Sequence, residues 1–255
     1  MAVLRVIISG ASGGLGLALA RHYLEQGAAV GAMARRTDLL QTLAEQFPQQ
    51  VYPYALDVRD APAMRAAAQD FMTRCGVPDI VIANAGVSVG TLTEYVEDTE
   101  AFQQVVDINV LGTVKTFQPF LRAMRKAKCG SLVGIASVAG FRGLPGASAY
   151  SASKAALISY LESLRVELRG SGVKVVAVCP GYIKTPMTDI NPYPMPFILE
   201  ADVAARRIAR VIGKGRSLAV VPWQMALVGN ALKLMPNWLY DALFHKAPHK
   251  PRKRL

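Results

Sequence analysis

Apolar residues along this chain follow two patterns that take turns. Nearly unbroken apolar runs at residues 3–9, 28–34, 51–58, 79–83, 131–137, 173–179 and 218–221 read as β-strands. Between them, residues 15–26, 38–47, 63–72, 99–126, 149–169 and 201–212 carry the three-to-four-residue spacing of helices. On the first of these the apolar side is Leu15, Ala18, Leu19 and Leu24, and Gly27 closes it. The strands are apolar throughout rather than alternating, as expected where both faces of a sheet are covered. Strand and helix alternate to the end of the last run. The pattern predicts an α/β fold in one domain: a doubly wound parallel sheet of about seven strands with helices on both faces. No internal repeat is visible, and nothing resembles a linker before Ala247.

That domain should span residues 1–222, leaving 223–255 as an apolar helical extension with a basic tail. Trp223, Leu227, Leu232, Leu234, Met235, Trp238, Leu239, Leu243 and Phe244 make the extension rich in large apolar groups, and Pro236 divides it into two short helices. Such a segment fits an interfacial membrane anchor, a lid over a site or a subunit contact.

Composition narrows the class. Hydrophobic residues make up 52% and charged residues 18% of the 255, enough apolar matter for a substantial core and too much for a disordered chain. Cys75, Cys129 and Cys179 are scattered and odd in number, so no disulfide framework and no metal site are expected, and a reducing cytoplasm is the natural compartment. The apolar run at 2–8 is broken by Arg5 and runs into Gly10, so it reads as a strand and not a secretory signal. The most apolar long stretch, 218–235, is broken by Pro222, Gln224, Asn230 and Lys233 and is poor as a spanning helix. The net charge is +11, and the last ten residues contribute Lys246, Lys250, Arg252, Lys253 and Arg254 without an acid. This tail reads as solvated or as resting on a membrane surface. Nucleic acid is not expected, because no basic stripe interleaved with aromatics appears elsewhere.

The turn between the first strand and the first helix is Ser9-Gly10-Ala11-Ser12-Gly13-Gly14-Leu15-Gly16. Glycines there let the chain bend tightly and let a pyrophosphate approach the free amides of the helix start. The end of the second strand reads Ala32-Met33-Ala34-Arg35-Arg36. A carboxylate at that point would hold the ribose 2′-hydroxyl of NAD, whereas arginine accommodates a 2′-phosphate. Arg35 and Arg36 therefore favour NADP(H) over NAD(H).

Tyr150 and Lys154 stand one helical turn apart, thirteen residues after Ser137. At that spacing both side chains lie on one helix face. An ammonium beside a phenol favours the phenolate and should lower its pKa, so that the pair can trade a proton with a carbonyl or an alcohol. The bland alternative is an exposed helix pair.

Taken in order, the Gly10, Gly14, Gly16 turn, Asn84-Ala85-Gly86, Ser137 with Tyr150 and Lys154, and Pro180-Gly181 after a strand resemble the short-chain dehydrogenase/reductase family over about residues 3–222. The resemblance implies a Rossmann sheet, interconversion of a carbonyl and an alcohol with a nicotinamide cofactor, and homodimers or homotetramers built through the long helices. It implies Tyr150 as acid/base, Lys154 as the group that lowers its pKa and holds the nicotinamide ribose, and Ser137 as a hydrogen-bond donor to the substrate oxygen. Asn109 would hold a water linking Lys154 to solvent. Ser12 and Leu15 would join the glycines at the pyrophosphate, Asp57 and Val58 would lie near the adenine, and Asn84, Ala85 and Gly86 would lie along the cofactor. Pro180, Gly181, Ile183 and Thr185 would surround the nicotinamide. One departure stands out: many NADP-using relatives carry a basic residue before the middle turn glycine, and here that residue is Gly13.

The segment 185–199 has four prolines, Met187 and Met195, and the make-up of a lid over a small apolar substrate; Phe141 and Leu144 should add an apolar wall. The tail loosely resembles that of membrane-associated, lipid- and steroid-directed members. A second reading, a dinucleotide-sensing protein without turnover, would keep the glycine turn but has no need of Ser137, Asn109, Tyr150 and Lys154 together.

Overall fold

A computed structural model describes residues 3–252, so Ala2, Lys253 and Arg254 lie outside the described residues. Seven parallel strands form one sheet in the order β3-β2-β1-β4-β5-β6-β9. They are β1 (Arg5–Ser9), β2 (Ala29–Ala34), β3 (Val51–Ala55), β4 (Ile80–Ala83), β5 (Ser131–Ile135), β6 (Lys174–Pro180) and β9 (Leu218–Val221). A second, two-stranded sheet of β7 (Ile183–Lys184) and β8 (Leu199–Glu200) ties together the ends of the segment between them. The chain runs outward from β1 to β3 and then returns to β4 on the other side of β1. That reversal opens a crevice at the carboxyl ends of β1 and β4, the usual ligand position in such a sheet.

The unbroken apolar strands have both faces covered. In β1, Val6 and Ile8 enter one core and Ile7 the other. The first core is closed by α1 (Gly14–Leu24), α2 (Thr37–Gln46) and α7 (Ala201–Gly213). The second is closed by α3 (Ala61–Cys75), α5 (Gly112–Ala127) and α6 (Ser148–Glu167). Phe71, Phe117 and Phe120 are fully buried in the second core, each stabilising the fold by about 1.5–3 kcal/mol. The two edge strands are the exceptions: Leu218 of β9 is half exposed, and β3 is half open to solvent and carries Pro53, a residue confined to edges because it has no amide hydrogen.

The helix expected at 99–126 is present, running from α4 (Asp98–Val106) through a π-helical turn at Asp107–Leu111 into α5. At the joint Gly112 lies against Val58, where a Cβ would come within 2.7 Å of its Cγ2. The basic tail, in turn, is held to the body at Lys250 and Arg252, while Lys246 is exposed. After α8 (Gln224–Leu234) and α9 (Asn237–Phe244) the chain folds back, Lys250 is 6% exposed, and Arg252 pairs with Asp98 and Glu97. The extension packs on the main body: the Tyr240 hydroxyl donates to the Gly143 carbonyl at 2.6 Å, and Arg142 donates to the Met235 carbonyl at 3.1 Å. Among the described residues no helix is long and apolar enough to cross a membrane.

Candidate active site

A cleft of about 440 Å³ runs along the carboxyl ends of the strands from β3 to β6. Its floor is the turn from β1 to α1. Gly10 has φ +71°, and a Cβ there would lie 2.8 Å from the Cα of Ala85. A Cβ at Gly16 would press on the Gly10 carbonyl oxygen. The bare backbone is what allows β1, α1 and β4 to approach this closely. Asn84 fixes the same turn, donating to the carbonyls of Ser9 at 3.1 Å and Gly10 at 3.3 Å. The N-terminus of α1 carries no side-chain cap and no acid in its first turn, so its amides remain available to an anion. Ser12, Gly14 and Leu15 line this end of the cleft.

At the β2 side, Arg35 and Arg36 both line the cleft. The Arg36 guanidinium donates to the Ser12 hydroxyl at 3.2 Å and the Ser12 carbonyl at 3.0 Å. Its Nη2 lies 2.5 Å from where a Cβ of residue 13 would stand. Arg36 therefore occupies the space left by the glycine, bringing a cation from the turn after β2 to the glycine turn. Asp57 and Val58 line the next wall. Both Asp57 oxygens are taken by Arg59, at 3.1 and 2.8 Å, and this pairing holds the carboxyl below its usual range.

The far end holds Asn84, Ala85 and Gly86, then Ser137, Tyr150 and Lys154, and finally Pro180, Gly181, Ile183 and Thr185. The Ser137 hydroxyl caps the turn that follows β5, accepting from the Ala139 amide at 3.1 Å. Tyr150 and Lys154 come from the first two turns of α6, as their spacing requires. Lys154 is 4% exposed, and its ammonium donates to the Ile135 carbonyl at 2.7 Å. Burial lowers its pKa to about 8. The ammonium stands 5.7 Å from the centre of the Tyr150 ring. The expected lowering of the Tyr150 pKa is not what the site displays: burial raises it, against a smaller opposing effect of a hydrogen bond with Ser137. Two groups packed into one wall are both held toward their neutral forms, because burial penalises either charge.

Asn109 is brought to this region but stands behind the cleft wall, fully buried in the π-helical turn. Its side chain accepts from the Val87 amide at 2.8 Å and donates to the Val87 carbonyl and the Ser153 hydroxyl, each at 3.0 Å. Ser153 donates in turn to the Tyr150 carbonyl at 2.8 Å. Ser153 was invisible to sequence reasoning, since a serine beside Lys154 carries no distinguishing pattern. Phe141 and Leu144 do not line the cleft. They line a separate shallow hollow beside α6, and Phe141 is covered by α8 at Gly229. Of the expected lid, Thr185, Pro186, Met187 and Thr188 reach the cleft, while Ile190, Phe197 and Ile198 are exposed.

Comparisons with known proteins agree with this geometry. A family model described as short chain dehydrogenase matches residues 5–192. An uncharacterised oxidoreductase of Myxococcus xanthus (strain DK1622) is 40% identical over 239 residues, covering 92% of this chain and 94% of that protein. A 2-dehydro-3-deoxy-L-rhamnonate dehydrogenase (NAD(+)) of Sphingomonas sp. (strain SKA58) is 36% identical, covering 73% of this chain and 74% of that protein. Among solved structures, a short chain dehydrogenase from Burkholderia cenocepacia J2315 in complex with NADP superposes with a TM-score of 0.82 at 25% identity, covering 96% of this chain and 98% of that one.

Proposed function

The chain belongs to the short-chain dehydrogenase/reductase family and is an oxidoreductase of CH–OH groups; within that family we propose that it is an NADP(H)-dependent enzyme interconverting a lipophilic ketone or aldehyde and its alcohol. The observation that carries this reading is the convergence of Ser137, Tyr150 and Lys154 on the cleft that also contains the bare-backbone turn. A dinucleotide suits these residues: the uncapped amides of α1 would take the pyrophosphate, and Arg35 and Arg36 a 2′-phosphate. When bound, the cofactor supplies the hydride.

In the reducing direction the Tyr150 phenol, kept protonated by its burial, gives its proton to the carbonyl oxygen. The Ser137 hydroxyl donates a hydrogen bond to that same oxygen and orients it. Lys154 stabilises the phenolate left on Tyr150 and would hold the ribose of the bound nicotinamide. Asn109 and Ser153 keep α6 in register with the loop after β4, and the water-holding role of Asn109 belongs to this proposal too. In the oxidising direction the same groups run in reverse.

The lipophilic substrate rests on Ile183, Pro186 and Met187, apolar groups in the cleft wall. The extension 223–255, read as part of the same domain, would touch a membrane surface from the cytoplasmic side. Trp223, Leu227, Leu234, Trp238 and Leu243 are each at least 60% exposed, as an interfacial helix pair requires. A homodimer or homotetramer would use the long helices α5 and α6.

The test is NADPH and NADH oxidation by the purified protein against aldehydes and ketones of rising apolar size. Turnover with NADPH that grows with substrate size supports the reading. Preference for NADH, or for small polar sugars, would overturn its finer parts.

A further inference from the structure

Residues 249–252 do not trail from the body but cross it. The Gly90 amide donates to the Pro251 carbonyl at 3.1 Å, and a Cβ at Gly90 would collide with the Lys250 carbonyl. The His249 ring lies over Gly146, 2.6 Å from where a Cβ would stand. The Lys250 ammonium donates to the Met187 carbonyl at 3.0 Å and the Ser88 hydroxyl at 3.2 Å. Arg252 stacks at 3.5 Å on the Tyr95 ring while it donates to Asp98 at 2.8 and 3.0 Å. Four consecutive residues thus engage the loop after β4, the approach to α6 and the lid. Two of these segments bound the end of the cleft where Tyr150 stands, the loop after β4 through Val87 and the lid through Met187 and Thr188.

Lys250 is unusual within this strap. Among the described residues no carboxylate lies within ion-pair distance of it, although it is 6% exposed. Burial lowers its pKa to about 8. A buried ammonium satisfied only by neutral oxygens is costly, and a shorter or apolar side chain would avoid that cost. What the ammonium gains is a connection between two segments that share no other described hydrogen bond: Ser88, next to cleft residue Val87, and Met187, itself in the cleft wall.

We propose that residues 249–252 form a strap across the substrate side of the cleft, with Lys250 as a positioning residue that holds the lid at Met187 against the loop after β4 and so sets the width of the mouth. This rests on the reading of the cleft as a carbonyl-reducing site, but the strap itself is testable without turnover. A stem packed as Lys250 is can be replaced by methionine with little change in volume and with loss of both hydrogen bonds.

The experiment compares the full chain, Lys250→Met and a chain ending at Pro248 by hydrogen exchange. Both variants should raise amide exchange about tenfold or more in residues 185–190 and 88–92, with exchange in β1, β4 and β5 unchanged. In the assay against carbonyls of rising size, both should shift kcat/KM toward bulkier substrates, through KM and with kcat within about twofold. Unchanged exchange at the lid in both variants overturns the strap. A size profile that does not move while exchange rises overturns the positioning role. Absence of turnover by the full chain on every carbonyl counts against the proposed reaction alone, because the exchange comparison still judges the strap.

Discussion

Replacing Lys154 by methionine should make the cofactor-free protein more stable while removing its activity. Lys154 is 4% exposed, and burial lowers its pKa from 10.5 to about 8. One pKa unit of difference between folded and unfolded chains is worth about 1.4 kcal/mol. A protonated Lys154 therefore opposes folding by about 3 kcal/mol below pH 8. Methionine has similar length and no charge. It forfeits the 2.7 Å donation to the Ile135 carbonyl, a loss of about 1 kcal/mol. The net gain is about 2 kcal/mol, and with an unfolding entropy of about 2.1 cal/mol/K per residue the Tm should rise by about 4 °C at pH 7. The sign also fixes the pH dependence. A lysine with a depressed folded-state pKa destabilises in full below that pKa, and the penalty fades from about pH 8 toward 10.5, where the unfolded chain binds a proton that the folded one does not. The difference between variant and wild type should thus shrink toward zero near pH 9.5. Lys250, also lowered to about 8, adds a rise in the same direction to both proteins and cancels in the comparison. The measurement is thermal unfolding by circular dichroism without cofactor, since a ligand of the folded state adds its own stabilisation. A Lys154→Met protein that melts at or below wild type at pH 7, or a gap that persists at pH 9.5, refutes the reasoning.

Tyr150→Phe keeps the ring and removes the proton donor; turnover should fall by about 10²–10⁴-fold, with NADPH affinity, read by fluorescence titration, unchanged within about twofold. Arg36→Ala removes the guanidinium that fills the space beside Gly13. It should raise the KM for NADPH about 10–100-fold and leave that for NADH nearly unchanged, and equal effects on both would remove Arg36 from cofactor choice. Gly16→Ala drives a methyl into the Gly10 carbonyl and to 2.5 Å from the Asn84 amide nitrogen; it should cost about 1–3 kcal/mol and lower the melting temperature. Trp223→Ala combined with Trp238→Ala should reduce flotation with anionic vesicles while leaving the fold intact, and equal flotation of both proteins would end the membrane reading.

The sheet and the cleft were legible because their signals are local. Runs such as Val6, Ile7 and Ile8 or Val175 to Cys179 announce a strand covered on both faces, and Gly10, Gly14 and Gly16 stand together in sequence as they do in space. Tyr150 and Lys154 needed only helical periodicity. What sequence could not disclose depends on contacts between distant segments. A π-helical turn at 107–111 shifts the helical phase by one residue, which the spacing of apolar positions over 99–126 does not resolve. The partnership of Arg36 with the gap at Gly13 crosses from one strand end to the next. The direction of the Tyr150 shift depends on how tightly the wall packs, where the sequence offers only the neighbouring charge. A run of lysine and arginine reads as solvated, and Lys246 is exposed, but Lys250 and Arg252 are bound to the body. The contacts of these two, Asp98, Tyr95 and Ser88, lie more than 150 residues away in the chain.

Pro53 has a consequence for how copies of this protein can meet. The Leu56 amide donates inward to Ala34, and the Gln50 carbonyl accepts inward from Val30. By the alternation of a strand, the nitrogen of Pro53 therefore faces outward. The outer rim of β3 thus lacks a donor at its middle position. A foreign strand laid along it would leave a carbonyl unanswered halfway, so sheet-to-sheet polymerisation is blocked there. Pro53→Val would restore the missing donor and open a route to fibrous association that the native sequence closes.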